Sequence, residues 1–124
     1  MSEMTQSLED YLESIYMLIE AGKSAQVRDV AKRLDVKMPS VVKAVRELKR
    51  LGLVTQEPYS NIELTQKGVR VAKDVLSRHT LLRAFLMKLG VSRANADKDA
   101  CLMEHILSAE TIDKIRIYTE RKSR

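Results

Sequence analysis

The chain contains 124 residues, of which 44% are hydrophobic and 31% are charged. This length suits one domain, or two small domains that share a core, and the composition is that of an ordinary globular protein. No apolar run approaches the roughly 20 residues that a membrane span requires, and the polar residues after Met1 predict no signal peptide. A single cysteine excludes a disulfide framework, so we expect a cytoplasmic protein with no membrane partner.

The net charge of +5 is concentrated in one part of the chain. Residues 23–50 hold nine basic and three acidic side chains, an excess of +6, whereas the remaining residues carry −1. A local basic excess favours a polyanionic partner, most simply nucleic acid. Charge alone is equally compatible with a solvated helical surface that is rich in lysine and arginine.

The first half of the chain predicts three helices and a hairpin. Apolar residues recur at helical spacing from residue 8 to residue 19, with Ser7 as the N-cap. A second helix is expected over Val27–Leu34, and a third opens at Pro39 and Ser40. The apolar stripe of the third helix comprises Val41, Val42, Val45 and Leu48. Two short alternating runs around a Pro/Ser/Asn turn then predict a β-hairpin over Val54–Leu64.

The second half predicts helices only. Thr65 is placed to cap a long helix that continues through His79 to Leu89. Ser92 caps a helix over Ala94–Leu107, and a further helix begins at Ser108. The expected fold class is therefore mainly α with a small β-hairpin.

The order of these elements is that of a winged helix-turn-helix, in which the hairpin is the wing. The third helix would then be the recognition helix, with its N-terminal end in the major groove of DNA. Residues at its start are candidates for base edges or nearby phosphates, and the more distant bases are better placed for phosphates alone. The candidate DNA-contacting residues are Arg28, Lys37, Pro39, Ser40, Lys43, Arg46, Lys49 and Arg50. Element order and concentrated charge together favour DNA binding over an all-α domain with an unrelated hairpin.

Several side chains suited to a divalent cation stand at helical spacings. Asp10 and Glu13 are three residues apart and share a face of the first helix, and His79 lies in the long helix. The next predicted helix places Cys101 three and four residues before Glu104 and His105, so that the three side chains can converge. Carboxylate, imidazole and thiolate all bind first-row metals. Each group also has an ordinary structural interpretation: acids in a first turn, a small buried cysteine or a structural histidine.

Five segments resemble one known family, in the same order along nearly the whole chain. They are SLEDYLESIY at 7–16, MPSV at 38–41, LTQKG at 64–68, RHTLL at 78–82 and MEHILS at 103–108. The family is that of the diphtheria toxin repressor and the manganese transport regulator, and the chain is similar to a short member without the C-terminal SH3-like domain. Its members are homodimeric, metal-activated repressors of metal-uptake genes. The resemblance implies a repressor that binds double-stranded operator DNA.

The resemblance also implies a ligand set for Mn(II) or Fe(II). The residues that match the family's ligand positions are Asp10, Glu13, His79, Cys101, Glu104 and His105. Asp10 is typical of manganese-type members, whereas Cys101 is typical of iron-type members, so the choice of metal stays open. Positions 83 and 98, used by the ancillary site of iron-type members, hold Arg83 and Lys98, which cannot bind a cation.

A mechanism follows from the elements that carry these ligands. We expect residues 1–72 to form the DNA-binding domain and residues 73–124 to form a helical metal-binding and dimerisation domain. A cation held by both would replace repulsion among the acids with attraction and would set the spacing of two recognition helices in a dimer. The candidate dimer surface comprises residues 94–107, the stripe from Ile112 to Tyr118, and Phe85, Leu86 and Leu89.

Two other classes of function compete with this one. A winged-helix factor that ignores metal would sense oxidant through Cys101, provided that the thiol is exposed and its pKa is lowered. A metalloenzyme would need a nucleophile motif, a substrate cleft and a general base, and the sequence offers no such motif, so we expect no enzyme. A pure protein-interaction module would leave the basic segment at 23–50 unexplained.

Overall fold

A computed structural model describes residues 4–121, which divide into two compact units on either side of the Lys73–Asp74 bond. The elements in chain order are α1 (Gln6–Glu20), α2 (Val27–Leu34), α3 (Met38–Arg50), β1 (Val54–Thr55), β2 (Glu63–Leu64), α4 (Gln66–Lys88), α5 (Arg93–Met103) and α6 (Ala109–Glu120). The predicted fold class, mainly α with one small hairpin, is confirmed. Within the described residues, no helix is both long and apolar enough to cross a bilayer.

Helix α1 begins two residues earlier than the sequence predicted. Its N-cap is Thr5, whose Oγ1 accepts a hydrogen bond from the N–H of Leu8 at 3.1 Å. Ser7 lies inside the first turn, so the prediction of Ser7 as the cap is wrong. Both residues are good caps by type, and only the backbone geometry chooses between them.

The helix-turn-helix is built from α2 and α3. Helix α2 starts with a capping box, in which the N–H of Gln26 donates to Asp29 Oδ2 at 3.2 Å. Asp35 makes the turn with a φ of +56°, a left-handed conformation that aspartate tolerates. The helices α1, α2 and α3 contact one another around a buried core. That core includes Leu12, Ile15, Val30, Val41, Val45 and Leu48.

One residue of the predicted core stripe of α3 is exposed. Val42 is 43% exposed, whereas Val41 is fully buried. Positions 41, 45 and 48 follow a helical stripe, and position 42 is rotated by about 100° from it. Placing Val42 in the core was therefore wrong, because an apolar residue next to the stripe was counted as part of it.

The wing is a short antiparallel pair, with Val54 opposite Leu64 and Thr55 opposite Glu63. Its inner residues Leu53, Val54 and Ile62 are buried. The N–H of Ile62 donates to the carbonyl of Ala25 at 2.8 Å, which ties the wing to the segment before α2.

The start of α4 passes very close to the wing. A Cβ at Gly68 would lie 2.0 Å from the carbonyl oxygen of Leu53. Thr65 caps α4 here as predicted, because its Oγ1 accepts from the N–H of Gly68 at 3.0 Å and donates to the carbonyl of Gly52 at 2.7 Å.

We therefore expect Gly68→Ala to destabilise the first unit by about 1–3 kcal/mol, the usual cost of forcing a methyl group into a packed site. Urea denaturation followed by circular dichroism measures this change. Arg70→Ala, on the exposed side of the same helix, is the control and should shift the midpoint little. An unchanged midpoint for Gly68→Ala would show that the backbone approach is not tight.

The second unit has its own small core. Leu81, Leu82, Ala100 and Ile112 are buried together, and Met103, Leu107 and Ile115 pack against them. Ser92 and Ser108 cap α5 and α6 as predicted.

Helix α5 is shorter than predicted. It ends at Met103 with Glu104 as its C-cap, and residues 104–107 form a turn that leads to Ser108. The prediction of one helix over Ala94–Leu107 is wrong at its end. Apolar spacing does not reveal the break, because Met103 and Leu107 both pack against the same core.

Lys88 joins the end of α4 to the end of α6. Its Nζ donates to the carbonyls of Tyr118 at 3.3 Å and of Arg121 at 3.4 Å, and lies 5.0 Å from the centre of the Tyr118 ring. Phe85 meets the same ring edge to face at 5.9 Å. A cation at a helix C-terminus and over an aromatic ring is stabilising on both counts.

Candidate metal centre and DNA-contacting surface

The candidate DNA-contacting residues lie in or just before the two helices of the helix-turn-helix and are exposed. All eight side chains are exposed: Arg28, Lys37, Pro39, Ser40, Lys43, Arg46, Lys49 and Arg50. The opposite side of α3 is buried through Val41, Ala44, Val45 and Leu48. Packing thus leaves the basic side of the recognition helix open to solvent.

A groove of about 580 Å³ lies between the start of α1 and the polar side of α3. Its lining includes Thr5, Ser7, Ser40, Lys43, Arg46 and Glu47. Glu47 is engaged by Arg50, whose Nε donates to its Oε2 at 2.9 Å. That hydrogen bond holds the pKa of Glu47 below its ordinary value. This acid of the basic segment is thus paired with Arg50 rather than presented alone to a polyanion.

Sequence reasoning missed two apolar side chains on this surface. Met38 is 50% exposed and Val42 is 43% exposed, both at the start of α3. Apolar side chains at this end of a recognition helix are suited to contact thymine methyl groups. The signal that could have indicated them is their place in the sequence, since Met38 directly precedes Pro39 and Val42 follows it by three residues at the start of the same helix.

Two metal candidates of the second unit, His79 and His105, lie close to a third, Glu104. His79 Nδ1 lies 2.8 Å from Glu104 Oε1, and His105 Nε2 lies 3.6 Å from Glu104 Oε2. The Glu104 residue is 1% exposed, and the side chains of His79 and His105 are 14% and 2% exposed. Arg78 Nε donates to the backbone carbonyl of Glu104 at 3.0 Å, which fixes the turn that carries this carboxylate.

A buried carboxylate is costly unless a cation or strong donors compensate it. Here the imidazole of His79, 25 residues away in sequence, is within hydrogen-bonding distance of Glu104 Oε1. The imidazole of the adjacent His105 lies 3.6 Å from Oε2, which is beyond hydrogen-bonding distance. One carboxylate and two imidazole groups are donors of the type that first-row divalent metals bind.

The arrangement differs from a closed metal site. As the side chains stand, no group of three or more His, Cys, Asp or Glu within residues 4–121 could hold a metal ion. His79 and Glu104 are instead bonded to each other. The donors fit a divalent cation in type and burial, and they would have to turn from each other towards it.

Asp97, which was not among the predicted ligands, belongs to the same cluster. His79 Nε2 lies 2.9 Å from Asp97 Oδ1, and Arg83 Nη1 donates to that oxygen at 3.0 Å. Hydrogen bonds from His79 and then from Arg83 hold the pKa of Asp97 below its ordinary value. The spacing of positions 97, 101 and 104 on one helical side is the signal that could have pointed to it.

Cys101 differs from its neighbours in exposure. It lies on α5 with an exposed thiol, whereas Glu104 is buried beyond the end of that helix. The predicted geometry, with three donors on one continuous helix, is therefore wrong in its backbone. The cause is the turn that follows Met103: Glu104 still has helical φ and ψ, and its N–H donates to the carbonyl of Ala100 at 3.0 Å, but the N–H of His105 donates to Leu102 instead of continuing the helical pattern.

Asp10 and Glu13 lie in α1 of the first unit. Both are partly buried, next to the buried residues Tyr11, Leu12 and Ser14. Their spacing of three residues places them on one side of the helix, as the sequence predicted.

Comparison with known proteins follows the same division of the chain. Residues 3–62 match the iron dependent repressor N-terminal DNA binding domain, and residues 65–122 match the iron dependent repressor metal binding and dimerisation domain. The HTH-type transcriptional regulator MntR of Bacillus subtilis is 41% identical over 111 residues, which cover 90% of this chain and 78% of that protein. An HTH-type transcriptional regulator of Methanocaldococcus jannaschii is 40% identical over 120 residues, covering 95% of this chain and 96% of the relative.

Solved structures agree with these matches. The manganese regulator SloR superposes with a TM-score of 0.83 at 28% identity, covering 96% of this chain and 56% of SloR. A manganese-dependent transcriptional repressor in complex with manganese gives a TM-score of 0.84 at 27% identity, covering 94% of this chain and 54% of that one. The chain spans slightly more than half the length of these two proteins. From the domain matches, the identities and the shared fold, the chain belongs to the diphtheria toxin repressor and manganese transport regulator family of metal-dependent transcriptional regulators.

Proposed function

We propose that this protein is a metal-activated repressor that binds double-stranded operator DNA as a homodimer and controls genes for metal-ion uptake. Mn(II) or Fe(II) is the proposed activating ion. The observation that carries the proposal is the buried carboxylate of Glu104 between two imidazoles. It lies in the part of the chain that matches the metal binding and dimerisation domain.

The proposed ligands come from both units. They are Asp10, Glu13, His79, Cys101, Glu104 and His105. The two acids of α1 belong to the unit that contains the recognition helix, and the other four belong to the second unit. A bound divalent cation supplies the positive charge that these acids lack. Ligation by residues of both units would restrict the motion of one unit relative to the other. We propose residues 1–72 as the DNA-binding domain and residues 73–124 as the metal-binding and dimerisation domain.

The activating step is a shift between conformations. In a dimer, the restricted state holds two α3 helices at one separation, and half-sites on one face of DNA require a separation near 34–36 Å or a multiple of it. Since DNA selects the same state, operator binding must tighten metal binding by the same factor as metal tightens operator binding.

A homodimer is supported by apolar side chains that the second unit leaves exposed. They are Met87, Leu89, Leu102, Ile106, Ile117 and Tyr118. Large apolar side chains left exposed in this number favour an interface with another chain. Ile112, which the sequence placed in the interface stripe, is 5% exposed and packs in the unit's own core instead.

An anaerobic fluorescence-anisotropy titration tests the proposed function. The probe is a duplex selected by the protein from genomic DNA, and the arms are no metal, Mn(II), Fe(II), Co(II) and Zn(II) at one fixed salt concentration. We expect affinity to rise with Mn(II) or Fe(II). Equal, tight binding with and without metal would overturn the proposal and would make Cys101→Ser under oxidant the next experiment.

The choice of metal is expected to depend on position 101. Replacing the exposed Cys101 with Glu exchanges a soft thiolate for a hard carboxylate, so Cys101→Glu should shift selectivity towards Mn(II) over Fe(II). The ratio of the two activation constants, measured by anisotropy under anaerobic conditions, checks this. Cys101→Ser, which removes the thiolate without adding a carboxylate, is the control. An unchanged ratio in Cys101→Glu would show that this side chain does not discriminate between metals.

A further inference from the structure

The imidazole of His79 is held on both edges by carboxylates. Its Nδ1 lies 2.8 Å from Oε1 of Glu104, which is 1% exposed. Its Nε2 lies 2.9 Å from Oδ1 of Asp97, whose side chain is 50% exposed. The ring thus stands between a buried carboxylate after the end of α5 and a half-exposed one within α5.

Asp97 is in turn held by a cation from the same helix as His79. Arg83 lies one turn after His79 on α4, and its Nη1 donates to Asp97 Oδ1 at 3.0 Å. Helix α4 therefore supplies both the imidazole and the guanidinium, and α5 supplies the carboxylate that joins them. The guanidinium of Arg83 is a permanent positive charge beside Asp97, because arginine does not lose its proton in proteins.

The hydrogen on the ring follows from this network. Oδ1 of Asp97 accepts from the guanidinium, so the ring nitrogen that faces the same oxygen is a donor rather than a second acceptor. Nε2 of His79 therefore carries a hydrogen. Nδ1, on the other edge, faces Oε1 of Glu104, which is also a carboxylate oxygen, so a hydrogen lies between this pair as well in the absence of metal. A cation bound at Nδ1 would take the place of that hydrogen, whereas the hydrogen on Nε2 would stay directed towards Asp97.

We propose that Asp97, held in place by Arg83, is the positioning residue of the metal centre: it keeps the hydrogen of His79 on Nε2 and so makes Nδ1 the metal-binding nitrogen. This inference rests on the proposed function. It names the ligating atom of His79 and assigns a role to two residues, Asp97 and Arg83, that are not proposed ligands. The physical principle is general, because a carboxylate on the far nitrogen of a ligating histidine fixes its tautomer and orientation and raises its basicity.

Nitrogen NMR tests the tautomer directly, without DNA and without any measurement of repression. The chain has two histidines, so a ¹H–¹⁵N multiple-bond spectrum of the full chain contains two imidazole systems, which His105→Gln assigns. Diamagnetic Zn(II) serves as the probe metal. We expect Nε2 of His79 to carry hydrogen both with and without Zn(II), and Nδ1 to carry the shift of a metal-bound nitrogen when Zn(II) is added. A spectrum with hydrogen on Nδ1 in the Zn(II) form would overturn the proposal.

Metal affinity gives the second readout. Mn(II) binding to the full chain, followed by the loss of the free-ion electron paramagnetic resonance signal, should weaken about 10–100-fold in Asp97→Ala. Asp97→Asn keeps an acceptor oxygen and should recover part of this loss, and Arg83→Gln should lose less than Asp97→Ala. Asp99→Asn is the matched control, because Asp99 is an exposed aspartate two residues further along α5.

The outcomes separate this inference from the proposed function. If the unaltered chain binds Mn(II) and Asp97→Ala binds it equally well, the positioning role is overturned while the proposed metal dependence stands. If the unaltered chain binds neither Mn(II) nor Zn(II), both proposals fall. Weakened binding in Asp97→Ala and Arg83→Gln, with Asp99→Asn unchanged and hydrogen retained on Nε2, supports the assignment.

Discussion

Replacement of Glu104 by Gln is expected to abolish metal-dependent operator binding while leaving the fold intact. The substitution keeps the volume of the buried side chain and removes the charge that the two imidazoles surround. Without this carboxylate, the proposed centre loses the only fully buried acid among its ligands. We expect Mn(II) affinity to fall by about 100-fold or more, which corresponds to about 2.7 kcal/mol. Operator affinity at the same metal concentration should fall to that of the metal-free protein.

Three measurements make this prediction decisive. Metal affinity is measured on the protein alone, operator affinity by anisotropy with and without Mn(II), and folding by circular dichroism. His105→Ala should behave in the same way as Glu104→Gln, whereas Glu110→Gln, an exposed acid in the first turn of α6, should behave as the unaltered protein. Normal metal-dependent operator affinity in either Glu104→Gln or His105→Ala would count against the centre.

The second large effect is expected on the recognition helix. Lys43 is exposed on α3 and lines the groove beside the start of α1. Lys43→Ala should weaken operator binding about tenfold even at saturating metal, since one cation facing the DNA is lost. The metal affinity of the free protein should stay unchanged, because Lys43 is not among the proposed ligands. Glu104→Gln should instead lose metal affinity and, with it, metal-dependent operator binding, so the two variants separate DNA contact from metal activation.

The salt dependence of Lys43→Ala shows what kind of contact is lost. If Lys43 binds a phosphate, all sequences are weakened alike and the slope of log K against log salt decreases by about 1. If it contacts a base edge, discrimination between operator and random DNA decreases instead. Lys73→Ala, an exposed lysine on α4, is the control. An operator affinity that does not change would remove Lys43 from the DNA-contacting surface.

The elements of the first unit were largely predictable because their signals are local. Each signal lies within a few residues of the element that it predicts: helical periodicity, Pro39 at the start of α3 and the turn residues of the wing. The structure has these elements where they were expected. The errors arose where two local signals were equally good. Ser7 and Thr5 are both caps by type, and Val42 stands next to a genuine core stripe. In each case, packing and backbone geometry decided.

The second unit was harder to predict because its site depends on contacts between distant segments. The sequence identified His79, Glu104 and His105 as donors by residue type. It did not show that His79 bonds Glu104 across 25 positions, or that α5 ends just before Glu104. The sequence also did not show the contacts of Asp97 with His79 and Arg83, because they join two different helices.

The sequence by itself determined the classes of element, the basic segment that α3 exposes, and the chemical types of the candidate ligands. These are properties of single residues and of their spacing within one helix. Only the tertiary structure decided that Glu104 is buried, that Cys101 is exposed, and that His79 is bonded on both edges. Burial and hydrogen bonding depend on which helices pack together. The free energy of that packing comes from apolar contacts between residues far apart in the chain.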